Sequence, residues 1–267
     1  MFKESMHQII RDSLGQLKQP VRLVLFTSDT GCDICSDALL TAQAMKAASS
    51  RIALEIYDIT MDRDKSQEYG VKRVPTFVVQ AQDGRIVKFS GALEGVSLLL
   101  LLDAVTSVTG KGAWFPDKIG NTLKLLSQTV PVQVLLENDC TLCKPVAETA
   151  VGLALTNKLV STEIIVADDY PELLSKLKVK ILPFTLFGPR LFLEGHVSES
   201  AFLEMLFKAE GLKAAGLDAR CVVCGQPSPD LICASCKTKI QAEAVDHKRK
   251  DEKVVERGSA MGQHNHG

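Results

Sequence analysis

Two stretches of the chain repeat one order of hydrophobic patterns. In each stretch an amphipathic helical segment precedes apolar runs of strand length, which alternate with helical segments and end in a hairpin. The patterns predict strands at Val21–Phe26, Ile52–Tyr57, Thr76–Val79 and Arg85–Phe89, and again at 132–136, 162–166, 184–187 and 191–194. Strands that alternate with helices and then pair in a hairpin indicate an α/β fold: two fused units whose mixed sheets carry helices on both faces.

The helical segments lie between these strands in both stretches. They are predicted at 3–17, from Cys32 to about Ala48, at 62–69 and 94–108, and then at 116–128, 141–157, 171–177 and 198–209. The most apolar run, Leu98 to Leu102, ends at Asp103. It is far shorter than the ~20 residues that cross a bilayer, so it predicts a buried helix and no membrane partner.

Paired cysteines occur at the same place in both stretches. Cys32 and Cys35 follow the first predicted strand, and Cys140 and Cys143 follow its counterpart, 108 residues later. Pro75 and Pro183, each at the start of a predicted strand, are separated by the same 108 residues. Two unrelated CxxC pairs would not share a proline at one offset, so the chain carries one redox unit twice.

A CxxC pair at the start of a helix has a definite chemistry. Unpaired backbone N–H groups and the helix dipole stabilise the thiolate of the first cysteine, which can then attack a disulfide. The second cysteine lies nearly one turn further on and can resolve the mixed disulfide. Cys32 and Cys140 are therefore the predicted nucleophiles, and Cys35 and Cys143 the predicted resolving thiols.

The motifs carry a family resemblance across residues 3–209. PVRLVLFTSDTGCDIC, GVKRVPTFVV and the DGRIVKFSG hairpin, with the weaker repeats NDCTLC and KILPFTLF, resemble the tandem thioredoxin-fold, glutaredoxin-like protein disulfide oxidoreductases. The span is also similar to the N-terminal domain of bacterial alkyl hydroperoxide reductase flavoproteins. The resemblance implies dithiol–disulfide exchange. Two complete CxxC pairs favour the oxidoreductases, because the flavoprotein domain has one working pair.

The resemblance also implies roles for the residues around each proline. Pro75 and Pro183 correspond to a cis proline opposite the CxxC helix, and the backbone of Val74 and Leu182 would pair with an extended substrate. The family's Pro-Tyr or Gly-Pro motif interior is missing here, and where thioredoxins have a buried carboxylate, unit 1 offers Phe26 and no acid. Glu137 and Asp139 precede Cys140, and nearby carboxylates disfavour a thiolate. We therefore expect the two sites to differ in reactivity, with the sign of the difference open.

A third cysteine system follows the repeated units. Cys221, Cys224, Cys233 and Cys236 have the spacing C-x2-C-x8-C-x2-C, which resembles a small zinc ribbon with four thiolate ligands. The segment has too few apolar residues for a core of its own, so metal binding would supply the folding energy. One structural zinc ion is the leading expectation. Iron in a rubredoxin-like site and a disulfide-active pair are the alternatives.

Composition limits the remaining possibilities. Apolar residues make up 46% of the 267 residues, charged residues 24%, and the net charge is −1, which is typical of a globular protein and gives no basic footprint for nucleic acid. No glycine-rich nucleotide fingerprint precedes a helix, so neither nucleotide nor flavin is expected on this chain. All eight cysteines lie in CxxC pairs and the N-terminus lacks a signal-peptide pattern, which predicts a cytoplasmic protein.

The predicted organisation is therefore unit 1 at 1–110, unit 2 at 111–211, a zinc ribbon at 217–240 and a charged, disordered tail at 241–267. The predicted function is exchange of disulfides with protein substrates, with electrons from an upstream flavoprotein reductase. Two other functions stay open: a dedicated electron relay to a peroxidase, and a non-catalytic thioredoxin-fold scaffold with a metal-binding tail.

Overall fold

The computed structural model describes residues 2–108, 115, 117–211, 220–226, 228 and 230–246. The helices are α1 Phe2–Leu14, α2 Cys35–Ala48, α3 Arg63–Glu68, α4 Gly95–Val108, α5 Asp117–Leu123, α6 Lys144–Thr156, α7 Pro171–Leu177, α8 Glu199–Glu210 and α9 at 234–246, with a 3-10 turn at Ala167–Asp169. The strands are β1 Val21–Thr27, β2 Ile52–Asp58, β3 Thr76–Gln80, β4 Ile86–Ser90, β5 Val130–Leu136, β6 Val160–Val166, β7 Phe184–Phe187 and β8 Leu191–Glu194. The predicted α/β class and element order are confirmed.

The eight strands form one continuous sheet in the order β2-β1-β3-β4-β6-β5-β7-β8. Strands β1 to β4 belong to the first half (residues 2–108), and β5 to β8 belong to the second half (residues 117–211). The halves join where β4 pairs in parallel with β6. Each half has the same internal strand order, so the second half continues the sheet as a repeat of the first.

Strand directions place all the important loops at one end of this sheet. Both β1 and β4 run antiparallel to β3, and β4, β6 and β5 run parallel to one another. The carboxyl ends of these four strands therefore lie at the same end, together with the starts of β3 and β7. Four strand spacings, or about 19 Å, separate β1 from β5. The sheet twist also makes the carboxyl ends of these two strands point in different directions.

The largest apolar core is shared by both halves. Strands β1 and β5 are buried along most of their length, as continuous apolar runs covered on both faces should be. Helices α4 and α6 pack against each other across the joint, and a single cluster of buried side chains runs through both halves. Among the described helices, none is long and apolar enough to cross a membrane, and α4 has only 14 residues.

Both CxxC helices begin three residues later than predicted. Helix α2 starts at Cys35 rather than Cys32, and α6 starts at Lys144 rather than at residue 141. The first cysteine instead lies in a tight turn: the Cys35 N–H donates to the Cys32 carbonyl (3.3 Å), and the Cys143 N–H donates to the Cys140 carbonyl (3.1 Å). The first cysteine therefore precedes the helix, and the second lies at its first turn.

The predicted domain boundaries stay predictions. Residues 110 and 111, 217, and the tail from 247 onward lie outside the described residues. Helix α9 crosses residue 240, so residues 241–246 of the predicted tail are the end of this helix.

Candidate redox and metal sites

The first CxxC pair lies in the loop after β1. Cys32 and Cys35 are joined by a disulfide; Cys35 is only 4% exposed, whereas Cys32 is partly exposed. Pro75 lies beside this loop, because the β1–β3 register pairs Phe26 with Thr76 and so brings the residue before Thr76 to the end of β1. The Val74–Pro75 peptide bond is cis.

The second pair has the same construction in the loop after β5. Cys140 and Cys143 are joined by a disulfide, Cys143 is fully buried and Cys140 is partly exposed. The β5–β7 register pairs Leu135 with Phe184, which brings Pro183 to the end of β5, and the Leu182–Pro183 bond is also cis. In both sites the cysteine that solvent reaches is the first one.

The two proline loops differ in what surrounds them. In the first half, Arg73 forms a largely buried ion pair with Glu163 of β6, and both side chains are no more than 15% exposed. In the second half, the residue two before the proline is Ile181, which is 56% exposed, and Leu142 between the two cysteines is 68% exposed. The first site therefore has buried, charged side chains beside its proline, whereas the second site has exposed, apolar ones.

The four remaining cysteines come together in the C-terminal region. Their sulfur atoms all lie within 4.8 Å of one another, and the Sγ atoms of Cys224 and Cys233 are 3.7 Å apart. A tetrahedral zinc ion with Zn–S bonds of about 2.3 Å holds its sulfurs about 3.8 Å apart. The spacing therefore fits a single tetrahedral metal ion held by Cys221, Cys224, Cys233 and Cys236.

The acid–base properties of these thiols also fit a metal site. Burial opposes ionisation of Cys221, but backbone N–H groups, first that of Cys233, donate to its sulfur and lower its pKa to about 6. Burial, together with hydrogen bonds that the Cys236 thiol donates to the neighbouring sulfur atoms, raises the pKa of Cys236 to about 12. Four crowded thiols thus favour some thiolates at the expense of others, and a bound divalent cation would let all four ionise.

The cysteine cluster packs onto the second half. Leu231, Ile232 and Ile240 are buried in the same core cluster as α8. The ammonium group of Lys237 lies 2.7 Å from Glu204 on α8 and 3.3 Å from Asp230 within the cluster region. The metal-binding region is therefore attached to the thioredoxin-like body by apolar contacts and by an ion pair.

Curated proteins with a similar sequence are thioredoxins. A "Probable Thioredoxin" of Methanothermobacter thermautotrophicus is 36% identical over 73 residues, which is 27% of this chain and 80% of the relative. Its counterpart in Methanothermobacter marburgensis is 34% identical over the same length and shares. The chain belongs to the thioredoxin family. The chain is therefore a disulfide oxidoreductase. No protein-family model matches its sequence.

Solved structures show that the doubled fold occurs elsewhere. A protein disulfide oxidoreductase from Aeropyrum pernix has a TM-score of 0.71 at 24% identity, covering 80% of this chain and 97% of its own. The NTD_N/C domain of alkylhydroperoxide reductase AhpF from Enterococcus faecalis has a TM-score of 0.69 at 22% identity, covering 77% and 100%. These likenesses establish the tandem thioredoxin fold for this thioredoxin-family chain.

The sequence interpretation missed a polar cluster at the joint between the halves. Lys88 in β4 and Glu163 in β6 are buried and face each other in the β4–β6 register. The Lys88 ammonium donates to the carbonyls of Tyr69 (3.4 Å) and Gly70 (3.0 Å), and burial lowers its pKa. A signal was present: Lys88 and Glu163 each lie inside a predicted strand with apolar neighbours, and a buried charged residue is unusual unless it is paired.

Proposed function

We propose that this protein exchanges disulfides with protein substrates through both CxxC pairs. The observation that carries the proposal is the burial pattern, which is the same twice: a partly exposed first cysteine bonded to a buried second one, beside a proline loop. Cys32 and Cys140 are the proposed nucleophiles, and Cys35 and Cys143 the proposed resolving thiols. The Val74 and Leu182 backbones are the proposed contacts for an extended substrate.

The reaction balances as dithiol–disulfide exchange. The thiolate of the first cysteine attacks one sulfur of the substrate disulfide, forming a mixed disulfide and releasing one substrate thiolate. The second cysteine, as its thiolate, attacks the mixed disulfide and releases the other substrate thiolate. The substrate disulfide gains two electrons and two protons, and the enzyme dithiol becomes a disulfide. An upstream reductase, proposed to be a flavoprotein, returns the enzyme to the dithiol.

The four-cysteine cluster is proposed to hold one structural zinc ion. A zinc ion would stabilise the C-terminal region by linking the pair Cys221 and Cys224 to the pair Cys233 and Cys236. It takes no part in the disulfide exchange. Thiolate ligands need a reducing environment, which supports a cytoplasmic location. Metal analysis of freshly reduced protein checks this site: about one equivalent of zinc is expected. Replacing Cys224 with Ser should lower the zinc content, whereas Cys35→Ser should not.

Insulin reduction with dithiothreitol as donor tests the exchange itself. The protein should accelerate reduction, and Cys32→Ser combined with Cys140→Ser should return the rate to the uncatalysed level. Each single variant keeps the other site and should retain part of the activity. A double variant as active as the wild type would rule out both pairs as the source of the activity, and no acceleration by the wild type would favour the scaffold interpretation.

A further inference from the structure

Tyr170, a residue of the second half, contacts the proline loop of the first site. Its hydroxyl donates hydrogen bonds to the Val74 carbonyl (3.2 Å) and to the Pro75 carbonyl (3.4 Å). The side chain is 7% exposed, and burial raises its pKa, so the hydroxyl keeps its proton and remains a donor. The loop proposed to receive a substrate at Cys32 is therefore held from the opposite half.

Arg73 extends this contact. Its guanidinium pairs with Glu163 and lies 5.4 Å from the centre of the Tyr170 ring. Glu163 also accepts hydrogen bonds from Ser90 (2.8 Å) and from Gln133 of β5 (2.8 Å). Both carboxylate oxygens of Glu163 are thus engaged, and its position is fixed by both halves.

Thr76 and Gly91 complete the hold on the loop. The Thr76 hydroxyl donates to the Arg73 carbonyl (2.8 Å) and lies 2.7 Å from the Ser90 hydroxyl, whose other contact is Glu163. The Gly91 N–H donates to the Pro75 carbonyl (3.0 Å). The loop from Arg73 to Thr76 therefore has contacts along its whole length, and the side chains that fix it come from both halves.

The second site is held by the first half in a different way. The Val96 N–H donates to the Asn138 carbonyl (2.9 Å), the Asn138 amide donates to the Ala92 carbonyl (2.9 Å), and the Ser97 hydroxyl bonds the Asn138 side chain. Asn138 lies two residues before Cys140. The contact from the opposite half therefore falls on the cysteine loop in the second site and on the proline loop in the first.

We propose that each CxxC site is completed by the opposite half, and that Tyr170 is a positioning residue for substrate binding at Cys32. The inference rests on the proposed function, because it assigns the Val74–Pro75 backbone to substrate contact. A loop held in its binding geometry loses less conformational entropy when an extended polypeptide pairs with it. A small disulfide does not need this backbone pairing, so Tyr170 matters for polypeptides and not for small disulfides.

Tyr170→Phe in site-isolated proteins tests this role. One background carries Cys140→Ser with Cys143→Ser and keeps only the first site; the other carries Cys32→Ser with Cys35→Ser and keeps only the second. Insulin serves as the polypeptide substrate and 2-hydroxyethyl disulfide as the small one. In the first background, Tyr170→Phe should raise KM for insulin about two- to tenfold, the range that one neutral hydrogen bond spans.

The other measurements separate positioning from a general structural role. In the first background, Tyr170→Phe should leave kcat and KM for 2-hydroxyethyl disulfide within twofold of their values with Tyr170 intact. In the second background, it should leave kcat and KM for both substrates within the same range. Tyr69→Phe is the matched control, since it removes a buried hydroxyl that bonds Gln80 (3.1 Å) inside the first half.

Three results would overturn the inference. They are an unchanged insulin KM at the first site, an equal loss for both substrates, and an equal effect of Tyr69→Phe. If the first-site protein reduced neither substrate even with Tyr170 intact, the proposed function of Cys32 would fail together with the inference. Failure of the Tyr170 role alone would leave insulin reduction by the first site in place.

Discussion

The two redox sites share their parts but not their neighbours. In the order β1-β3-β4-β6-β5-β7, the strand that follows the first proline lies toward the joint, whereas the strand that follows the second proline lies toward the outer edge. The first site therefore turns its proline loop inward, and the second turns its cysteine loop inward. Because the two copies follow one another in the same orientation, the two sites have different neighbouring strands. This difference does not depend on any difference in side chains.

Side chains follow this difference in position. The inward proline loop carries Arg73, which finds a buried carboxylate and a tyrosine ring, and the outward one carries the exposed Ile181. An exposed apolar rim suits contact with an apolar polypeptide segment, while a fixed polar loop suits a defined backbone geometry. We therefore expect the two proposed substrate sites to differ in their mode of substrate contact.

Removing the carboxylate of Glu163 should have the largest effect on the difference in activity between the two redox sites. Glu163→Ala leaves Arg73 buried without its partner, which costs about 3–5 kcal/mol of unfolding free energy when a buried pair is broken. Denaturant unfolding measures the loss, and insulin reduction in the two site-isolated backgrounds should fall more at Cys32 than at Cys140.

The control for Glu163 is a more exposed pair of the same type. Arg22 pairs with Glu55 across β1 and β2 at 2.7 Å, with side chains 41% and 31% exposed. Glu55→Ala should therefore cost at most about 1 kcal/mol. Equal costs for the two variants would show that the joint is not a buried electrostatic contact.

A methyl group at Gly95 should damage the second site selectively. Gly95 has a φ of +45°, and a Cβ there would lie 2.4 Å from the Asn138 carbonyl oxygen. Strain of this kind costs on the order of 1–3 kcal/mol, and relief by movement of Asn138 would displace the loop before Cys140. We expect Gly95→Ala to reduce insulin turnover at Cys140 by about tenfold and to change Cys32 much less.

Gly84→Ala is the matched variant, because Gly84 also has a positive φ (+87°) but no atom within 4 Å of its added Cβ. It carries the backbone cost alone. If Gly84→Ala reduced turnover at Cys140 as much as Gly95→Ala, the contact with Asn138 would not be the cause.

The pH dependence of stability should show the smallest effect. Burial raises the pKa of Asp169, which accepts a hydrogen bond from the Ala92 N–H (2.7 Å) across the joint, and the neighbouring Asp168 adds to the rise. A raised pKa in the folded state means that acidification favours folding at this group, and that this contribution is lost as the pH rises through the folded pKa.

Asp169→Asn keeps an oxygen acceptor for the Ala92 N–H but cannot ionise. The difference in melting temperature, wild type minus variant, should therefore increase as the pH falls from neutral to mildly acidic. A pH-independent difference would mean that Asp169 titrates alike in the folded and unfolded chain.

Local patterns in the sequence predicted most of the fold and both cysteine–proline sites. The apolar periods placed the strands to within about two residues, and the constant offset between Cys32 and Cys140 identified the repeat. The starts of α2 and α6 were missed by three residues, because the turn between the two cysteines precedes the first helical hydrogen bonds. Such turns carry no periodic signal.

The joint between the halves could not be predicted in the same way. Parallel pairing of β4 with β6 is set by tertiary packing across many residues of chain, which local propensity does not encode. Tyr170 illustrates the limit: its position in the second half gives no indication that its hydroxyl meets the Val74 carbonyl. Lys88 and Glu163 were the available clue to the pairing.

The same-direction joint also leaves the sheet open-ended. If a two-fold axis related the halves, each half would pair through the same edge strand, and the pairing would stop at two copies. Here the second half follows the first in the same orientation, so the two outer edge strands of the sheet differ: they are β2 and β8. In principle another strand could extend either end. Strand β8 has only four residues and β2 carries Glu55 and Asp58, and short or charged edge strands are poor templates for further strand addition. Both edges of the sheet are thus protected against further strand pairing, β8 by its short length and β2 by its charged residues.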